Sequence, residues 1–225
     1  MKKFKKAQML YIIFWAIIII SICPSINELY YYHYNNISVD EMIDELVDYT
    51  MVEPLNFNIK ETLNGAPKEL IKRLYDIGLT IDTTEDIGRS SEYGKVTSKY
   101  IHRNKTIIIH RVYSNEVVLF HEFGHAISYN QLPFIKLSDT CRFIRLYENE
   151  KDLIFPNGKK VHYDNFNVKY EYIKVNPEEY FAQCFSMYVL GTLPEKTETY
   201  GFFEKYFKDM DINMNIDRIY ANNLK

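Results

Sequence analysis

The stretch that decides the fold and the chemistry of this chain is His121-Glu-Phe-Gly-His125. Two histidines four positions apart in a helix are separated by just over one turn, so both imidazole rings point the same way. Glu122 follows the first histidine and lies within reach of whatever the two rings hold. We therefore expect His121 and His125 to ligate one Zn²⁺ ion, with Glu122 beside a water molecule at the open coordination position.

This spacing is the HExxH signature of zinc hydrolases, and chance would produce it in roughly one chain in a hundred of this composition. Gly124 stands inside the motif, where a glycine costs a helix about 1 kcal/mol relative to alanine. Its presence suggests that another backbone or a ligand approaches closely. Residues 105–113 read as a β-branched strand, and Ser114-Asn115 reads as a turn or helix cap. The following helix should run from Glu116 to Tyr129 and bury Val117, Phe120 and Ile127.

The composition indicates a globular protein. The chain has 225 residues, of which 47% are hydrophobic and 25% are charged, enough for one domain with a sizeable core. Its three cysteines are too few for a disulfide scaffold. Cys141 and Cys184 are interpreted as two buried thiols in preference to a disulfide pair.

The N-terminal segment, residues 1–25, has the pattern of an export signal or a membrane anchor. Four lysines precede an uncharged apolar run from Met9 to Cys23, which lacks a clean cleavage site. We expect the rest of the chain to be secreted, or tethered by residues 9–23 to the outer face of the cytoplasmic membrane. Loss of these lysines would take the formal charge from −3 to −7, which argues against nucleic acid as a partner.

The remainder divides into a tyrosine-rich, partly helical segment at 26–54 and a main domain at 55–225. Ser38 and Glu41 form a capping box that should open an amphipathic helix. A second helix should follow Pro67 and end at Gly78. Strand signals at 79–83 and 95–113 predict a small, mostly antiparallel sheet ahead of the HExxH helix, and hence an α+β fold with helices at the C-terminal end.

Three later elements are predicted from local signals. Ser138 should cap a helix that runs to about Glu148. The stretch 155–159 looks like a hairpin turn that borders the substrate cleft and brings Phe155 to the substrate. A final helical region should run from Pro177 to the C-terminus.

Two histidines need a third protein ligand to hold a catalytic zinc ion. The metzincin pattern is excluded because Ser128 and Gln131 stand where it requires glycine and histidine. In Asn176-Pro-Glu-Glu-Tyr-Phe-Ala-Gln183, Asn176 can cap a helix on which Glu179 is exposed to a partner. Glu179 also occupies the position from which a glutamate reaches back to the cap, so the local sequence leaves ligand and cap open. The carboxylates considered are Glu148, Glu150, Glu171, Glu178 and Glu179.

The HExxH helix followed by Asn176-Pro-Glu-Glu-Tyr-Phe-Ala-Gln183 resembles the family of the anthrax lethal factor catalytic domain and the Pro-Pro endopeptidases. This resemblance implies a zincin-like metalloprotease domain in which Glu179 is the third metal ligand and Tyr172 is catalytic. A phenol near zinc can stabilise the oxyanion that forms during peptide hydrolysis, although Tyr170 is a nearby alternative. Gln183 stands where the family carries an acidic residue, so an amide would support a zinc ligand here.

The sequence therefore predicts an exported zinc endopeptidase. His121, His125 and Glu179 would hold Zn²⁺, Glu122 would act as general base, and Tyr172 would stabilise the oxyanion. The partner would be a polypeptide, and the resemblance favours substrates that contain proline. A membrane would be contacted only through an uncleaved N-terminal segment. The alternative is a non-catalytic, toxin-like or surface-binding module that keeps the metalloprotease fold without its chemistry.

Overall fold

A computed structural model describes most of the chain, namely residues 37–47, 57–84, 89–90, 94–95, 98–111, 115–131, 134–163 and 166–208. At 89–90, 94–95 and 161–169 the description is limited to the backbone. The predicted signal or anchor at 1–25 lies outside these ranges. Among the helices that they contain, none is long and apolar enough to cross a bilayer.

The chain separates into two compact units, residues 1–38 and 39–225. The second unit opens with helix α1 (Val39–Leu46), which begins directly after Ser38, as the capping-box pattern predicts. Val47 then forms a parallel bridge to Ile81 of the sheet. The predicted domain boundary at residue 55 stays a prediction, whereas helix α1 already belongs to the second unit.

Helix α2 (Ile59–Asn64) and helix α3 (Lys68–Ile77) follow, and α1 packs against both. Helix α3 begins after Pro67 and ends at Gly78, which confirms both predicted bounds. Gly78 adopts the left-handed conformation, with a φ of 71°, that favours glycine at the end of a helix. The buried face of α3 consists of the aliphatic side chains that its helical spacing aligns, namely Leu70, Ile71, Leu74 and Ile77.

The central sheet has three strands in the order β1, β5, β4. Strand β5 (Thr106–His110) lies in the middle, β1 (Thr80–Thr84) pairs with it in parallel, and β4 (Ser98–Ile101) pairs with it antiparallel. Short strands β2 (Arg89–Ser90) and β3 (Gly94–Lys95) form a separate antiparallel pair. The predicted small sheet is thus confirmed, but only one of its two strand pairings is antiparallel, so the expectation of a mostly antiparallel sheet is wrong for these three strands. The parallel pairing of β1 with β5 arises because the intervening residues return the chain to the same end of the sheet.

Helix α4 (Glu116–Asn130) carries the two histidines and confirms the predicted helix to within one residue. Asn115 caps it, since its side-chain oxygen accepts a hydrogen bond from the Val118 backbone N–H at 3.1 Å. The burial is broader than the predicted stripe. From Val118 to Ser128 every residue except His121 is buried, because α4 is packed against strand β4, helix α3 and a later helix, α7 (Pro177–Val189).

The next helix, α5, spans Cys141–Ile154 and follows a 3₁₀ turn at Leu137–Asp139. The prediction that Ser138 caps this helix is wrong, because the Thr140 hydroxyl accepts the hydrogen bond from the Phe143 backbone N–H. Ser138 is instead fully buried against helix α4. Its backbone N–H donates to Ser128 Oγ at 3.1 Å, so this serine joins the two segments.

A hairpin follows α5, but its turn is not at 155–159. Strands β6 (Lys160–Tyr163) and β7 (Phe166–Lys169) form an antiparallel pair, which places the reversal at 164–165. Residues 155–159 connect the helix to β6, with Gly158 at a φ of 75°. Phe155 is buried against the ring of Tyr180, so the expectation that it contacts substrate is wrong.

Two further helices complete the described chain after helix α6 (Tyr170–Ile173). Helix α7 begins at the predicted proline, and the last helix, α8, spans residues 198–208. The predicted single helical region is therefore interrupted, and Gly191 adopts a φ of 67° just beyond α7. The helices pack through an aromatic core formed by Phe143, Tyr180, Phe181, Phe185 and Phe203.

Cys141 and Cys184 are both free thiols, as the preferred interpretation predicts. Cys184 is fully buried, and burial raises the pKa of its thiol well above the usual value. Cys141 is exposed at the first residue of α5, because Phe143 and Leu146 form the buried face of that helix. The expectation of a buried thiol is therefore wrong for Cys141.

Candidate metal centre

The two histidines of helix α4 face one another. One helical turn separates them, and His121 Nε2 lies 3.1 Å from His125 Nε2. The His125 side chain is 11% exposed and that of His121 is 14% exposed, so both rings border the surface without being open to it. The inner nitrogens of both rings thus converge on one point.

Glu179 reaches the same point from helix α7. Asn176 caps this helix and accepts a hydrogen bond from the Glu179 backbone N–H at 2.9 Å, which leaves the carboxylate free to turn away from the cap. Glu179 Oε2 lies 3.3 Å from His121 Nε2, and Glu179 Oε1 lies 3.8 Å from His125 Nε2. Of the two positions that the sequence leaves open for the Glu179 carboxylate, the structure shows the one beside the histidine pair.

The donor set fits a tetrahedral zinc ion. Two ligands about 2.1 Å from such an ion stand roughly 3.4 Å apart, close to the separations of the two Nε2 atoms and of Glu179 Oε2. One donor atom from each of His121, His125 and Glu179 lies within 4.8 Å of the others. Glu179 Oε2 is buried, and its contact with His121 Nε2 at 3.3 Å is an ion-pair contact without the geometry of a good hydrogen bond, which suits an oxygen placed to bind a cation.

Glu179 and the two histidines shift one another's pKa values. Burial would raise the pKa of Glu179, but hydrogen bonding and charge from His121 outweigh burial and lower this pKa to about 2. Burial likewise lowers the pKa of His121, but Glu179 outweighs it and raises that pKa. For His125, burial and the neighbouring His121 charge lower the pKa. The low pKa of Glu179 favours the carboxylate form that binds a metal ion.

A polar side chain of helix α7 lies near the outer nitrogen, Nδ1, of each histidine. His121 Nδ1 lies 3.3 Å from Gln183 Oε1, one turn beyond Glu179 on helix α7. His125 Nδ1 lies 3.6 Å from Glu178 Oε1, too far for a hydrogen bond but close enough for attraction. Partners at the outer nitrogen orient a metal-binding imidazole, so helix α7 supports the pair of rings along its length.

Glu178 in turn contacts Lys136, which approaches from the segment before α5. Lys136 Nζ donates a hydrogen bond to Glu178 Oε2 and lies 4.3 Å from the centre of the Tyr129 ring. Burial would lower the pKa of Lys136, but Glu178 outweighs burial and raises it above the usual value. Glu178 is thereby held beside His125 and not between the two inner nitrogens.

Glu122 lies on the same helix with its carboxylate buried. The Ser98 hydroxyl of strand β4 donates a hydrogen bond to Glu122 Oε1 at 2.6 Å. The other oxygen, Oε2, is buried and has no hydrogen-bond partner. The charge of Glu122 acts on both rings: it adds to the raised pKa of His121 and partly offsets the lowered pKa of His125.

Tyr172 reaches the cluster from helix α6. Its side chain is half-buried, and its hydrogen bond to Glu179 contributes to the lowered pKa of that carboxyl. Tyr170 packs edge-to-face on Phe155, with ring centres 5.2 Å apart, on the side of the aromatic core. Of the two tyrosines that the sequence leaves open, Tyr172 is the one that contacts the histidine and glutamate cluster.

The other carboxylates considered as ligands have different partners. Glu148 pairs with Lys151 at 2.8 Å on the surface of α5. Glu150 is buried and accepts the backbone N–H groups of residues 198 and 199, so it caps helix α8. Glu171 accepts the Gly158 backbone N–H at 2.9 Å. His162 is the only histidine that follows His125 in the sequence, and its side chain lies outside the described residues.

Sequence reasoning missed Ser98 and Lys136. A single serine in a strand carries no motif, and neither residue is near the histidines in sequence. The alternation of side chains along β4 places Ser98 and Tyr100 on the same face, but the sequence does not tell which face meets helix α4. Only the packing of β4 on α4 reveals the contact with Glu122.

Comparison with known proteins identifies a family and similar solved structures. A family model described as "Anthrax toxin lethal factor, N- and C-terminal domain" matches residues 82–200, a range that includes all of the residues described above around the histidines. A solved structure of the Pro-Pro endopeptidase PPEP-2 from Paenibacillus alvei is similar at 22% identity with a TM-score of 0.48. The match covers 73% of this chain and 98% of that one. No curated protein sequence matches the chain.

Proposed function

Since the chain belongs to the anthrax toxin lethal factor family, we propose that it is a zinc-dependent endopeptidase that hydrolyses polypeptides with a metal-activated water molecule. One observation carries the proposal. His121, His125 and Glu179 bring three donor atoms to one point, with the buried carboxylate of Glu122 beside them. A zincin-like arrangement of helix and edge strand fits this donor set, and the conserved chemistry of HExxH sites supplies the reaction class.

His121, His125 and Glu179 would bind the ion, which polarises the attacking water and the substrate carbonyl when bound. Glu122 would accept the proton of the water through Oε2, the oxygen that has no hydrogen-bond partner. The same carboxyl group would then deliver the proton to the amine that leaves. Burial of Glu122 excludes bulk water, which strengthens its interaction with the reacting groups.

Tyr172 is the proposed oxyanion donor. In the structure its hydroxyl is occupied by Glu179, a group that zinc would engage. A bound substrate would place its carbonyl oxygen next to the ion, and the phenol could then donate to the charge that develops there.

The proposed substrate is a polypeptide, with proline-containing sequences as the first to test. The N-terminal segment, with its lysines and the apolar run at 9–23, supports export of the domain. The domain would then act outside the cell, either free or tethered to the outer face of the membrane. Any contact with a membrane would be made by this segment alone.

The test is a measurement of zinc content combined with digestion of a proteome-derived peptide library by the purified chain. The proposal expects about one zinc ion per chain and cleavage that a chelator abolishes. Tyr172→Phe should cut turnover while zinc stays bound, and Tyr170→Phe is its matched control. A folded, zinc-loaded chain that cleaves no peptide would instead favour the non-catalytic module.

A further inference from the structure

The proposed base, Glu122, is held from a second element of the fold. Ser98 lies on β4, the edge strand of the central sheet, and its hydroxyl donates to Glu122 Oε1 at 2.6 Å. This distance is in the range of hydrogen bonds from a hydroxyl to a charged carboxylate, which are shorter and stronger than neutral ones. Ser98 thus ties the carboxylate of helix α4 to the sheet.

The two oxygens of Glu122 are not equivalent. Oε1 accepts the Ser98 hydroxyl, whereas Oε2 is buried without a hydrogen-bond partner. Buried carboxylate oxygens usually accept a hydrogen bond. Oε2 accepts none, so it can accept a hydrogen bond from a water molecule that enters the site. A glutamate has three rotatable side-chain bonds, and a hydrogen bond to one carboxylate oxygen restricts their rotation and so favours one direction for the other oxygen.

We propose that Ser98 is a positioning residue for the general base: its hydroxyl holds Oε1 of Glu122 and so presents Oε2 to the attacking water. This inference rests on the proposed function, because it assigns Ser98 a task only if Glu122 is the base. Ser98 acts through Glu122 and touches neither the metal nor the reacting bond. The hydroxyl is the part of the side chain that matters, so threonine can replace serine.

The experiment compares Ser98→Ala, Ser98→Val and Ser98→Thr in the full-length chain. Valine and threonine have nearly the same shape and both suit a strand, so this pair differs in the hydroxyl alone. For Ser98→Ala and Ser98→Val we expect kcat to fall about 10- to 100-fold with KM unchanged, the effect of a misplaced catalytic group. Ser98→Thr should keep the wild-type kcat.

Two controls separate positioning from stability. Thr80→Val removes a hydroxyl hydrogen bond from the same sheet, since Thr80 Oγ1 lies 3.0 Å from Thr106 Oγ1, and it should leave kcat unchanged. Zinc affinity, measured by competition with a chelator, and thermal unfolding should be the same for Ser98→Val and Ser98→Thr. If Ser98→Ala does not fold, the comparison of valine with threonine still decides.

Three results would overturn the proposal. An unchanged kcat in Ser98→Val would mean that Glu122 needs no support from β4. A raised KM with normal kcat would make Ser98 a substrate contact. An equal loss of kcat in Ser98→Thr and Ser98→Val would mean that the effect arises from packing and not from the hydroxyl. If the wild-type chain cleaves nothing, the proposed function fails by itself; crystal structures of wild type and Ser98→Ala then test the positioning, which is refuted if the Glu122 carboxylate keeps its orientation.

Discussion

Gly124 in helix α4 lies so close to Ala182 in helix α7 that a Cβ atom on the glycine would stand 2.7 Å from the Ala182 Cα atom. A hydrogen bond also joins the same two helices, since the Ser186 hydroxyl donates to the Val117 carbonyl at 2.9 Å. The helices therefore run antiparallel with their backbones nearly touching. This close approach brings Glu179 and His121, which are far apart in sequence, to within 3.3 Å of each other.

Gly124→Ala should push the two helices apart. The added methyl group has no space against a backbone atom, so we expect a loss of about 1 to 3 kcal/mol in the free energy of unfolding. Zinc affinity should fall as well, since Glu179 would move away from the histidines. Gly201→Ala is the matched control: Gly201 is exposed in helix α8 with nothing within 4 Å, and alanine there should stabilise the fold by about 0.4 to 1 kcal/mol. Urea unfolding measures both changes.

Glu122→Gln should abolish turnover and preserve zinc binding and fold. The amide has nearly the same shape as the carboxylate and can still accept the Ser98 hydroxyl through its oxygen, but it cannot take a proton from water. We expect kcat to fall by at least about 100-fold, the lower end of what general-base catalysis contributes. Substantial residual activity in a zinc-loaded variant would show that another group is the base.

Glu179→Ala and Glu178→Ala test which of two adjacent residues of helix α7 is the metal ligand. Glu179 approaches the inner nitrogens of the histidines, whereas Glu178 approaches only the outer nitrogen of His125 and is held by Lys136. Zinc should therefore be lost from Glu179→Ala and retained at nearly normal content in Glu178→Ala. His125→Ala should also lose zinc. The reverse pattern for the two glutamates, read by metal analysis, would shift the ligand by one residue.

Gln183→Leu should weaken zinc binding without removing a ligand. Leucine fills a similar volume but leaves His121 Nδ1 without the oxygen that now lies 3.3 Å away. Loss of such an outer partner typically lowers metal affinity about 10- to 100-fold. Titration with a competing chelator would measure the change. An affinity equal to that of the wild type would mean that the amide does not orient the ring.

Removal of zinc should lower the stability of the fold as well as the activity. The ligands come from helices α4 and α7, so the ion would add a further link between two helices that are distant in sequence. At a free zinc concentration 100 times the Kd, binding to the folded chain alone adds about 2.7 kcal/mol. Thermal unfolding with and without a chelator tests this. The Glu179→Ala variant should show no such difference.

The sequence by itself determined the features that depend on neighbouring residues. The HExxH spacing predicts two rings on one face of a helix, and the two nitrogens do meet at 3.1 Å. The sequence also predicts the helix ends, because Asn115 and Asn176 cap helix N-termini and Gly78 ends a helix through interactions within one turn. The glycine inside the motif likewise predicts a close approach, though not the helix that makes it.

Tertiary structure alone decided which distant groups meet. Glu179 and Glu178 are equally good ligands as residue types, and only the face that α7 turns toward α4 brings the first to the inner nitrogens. The contact of Ser98 with Glu122 and the parallel pairing of β1 with β5 are of the same kind. Local patterns are governed by the geometry of a single helix or strand, whereas these contacts depend on how separate elements fill one core, which no short stretch of sequence specifies.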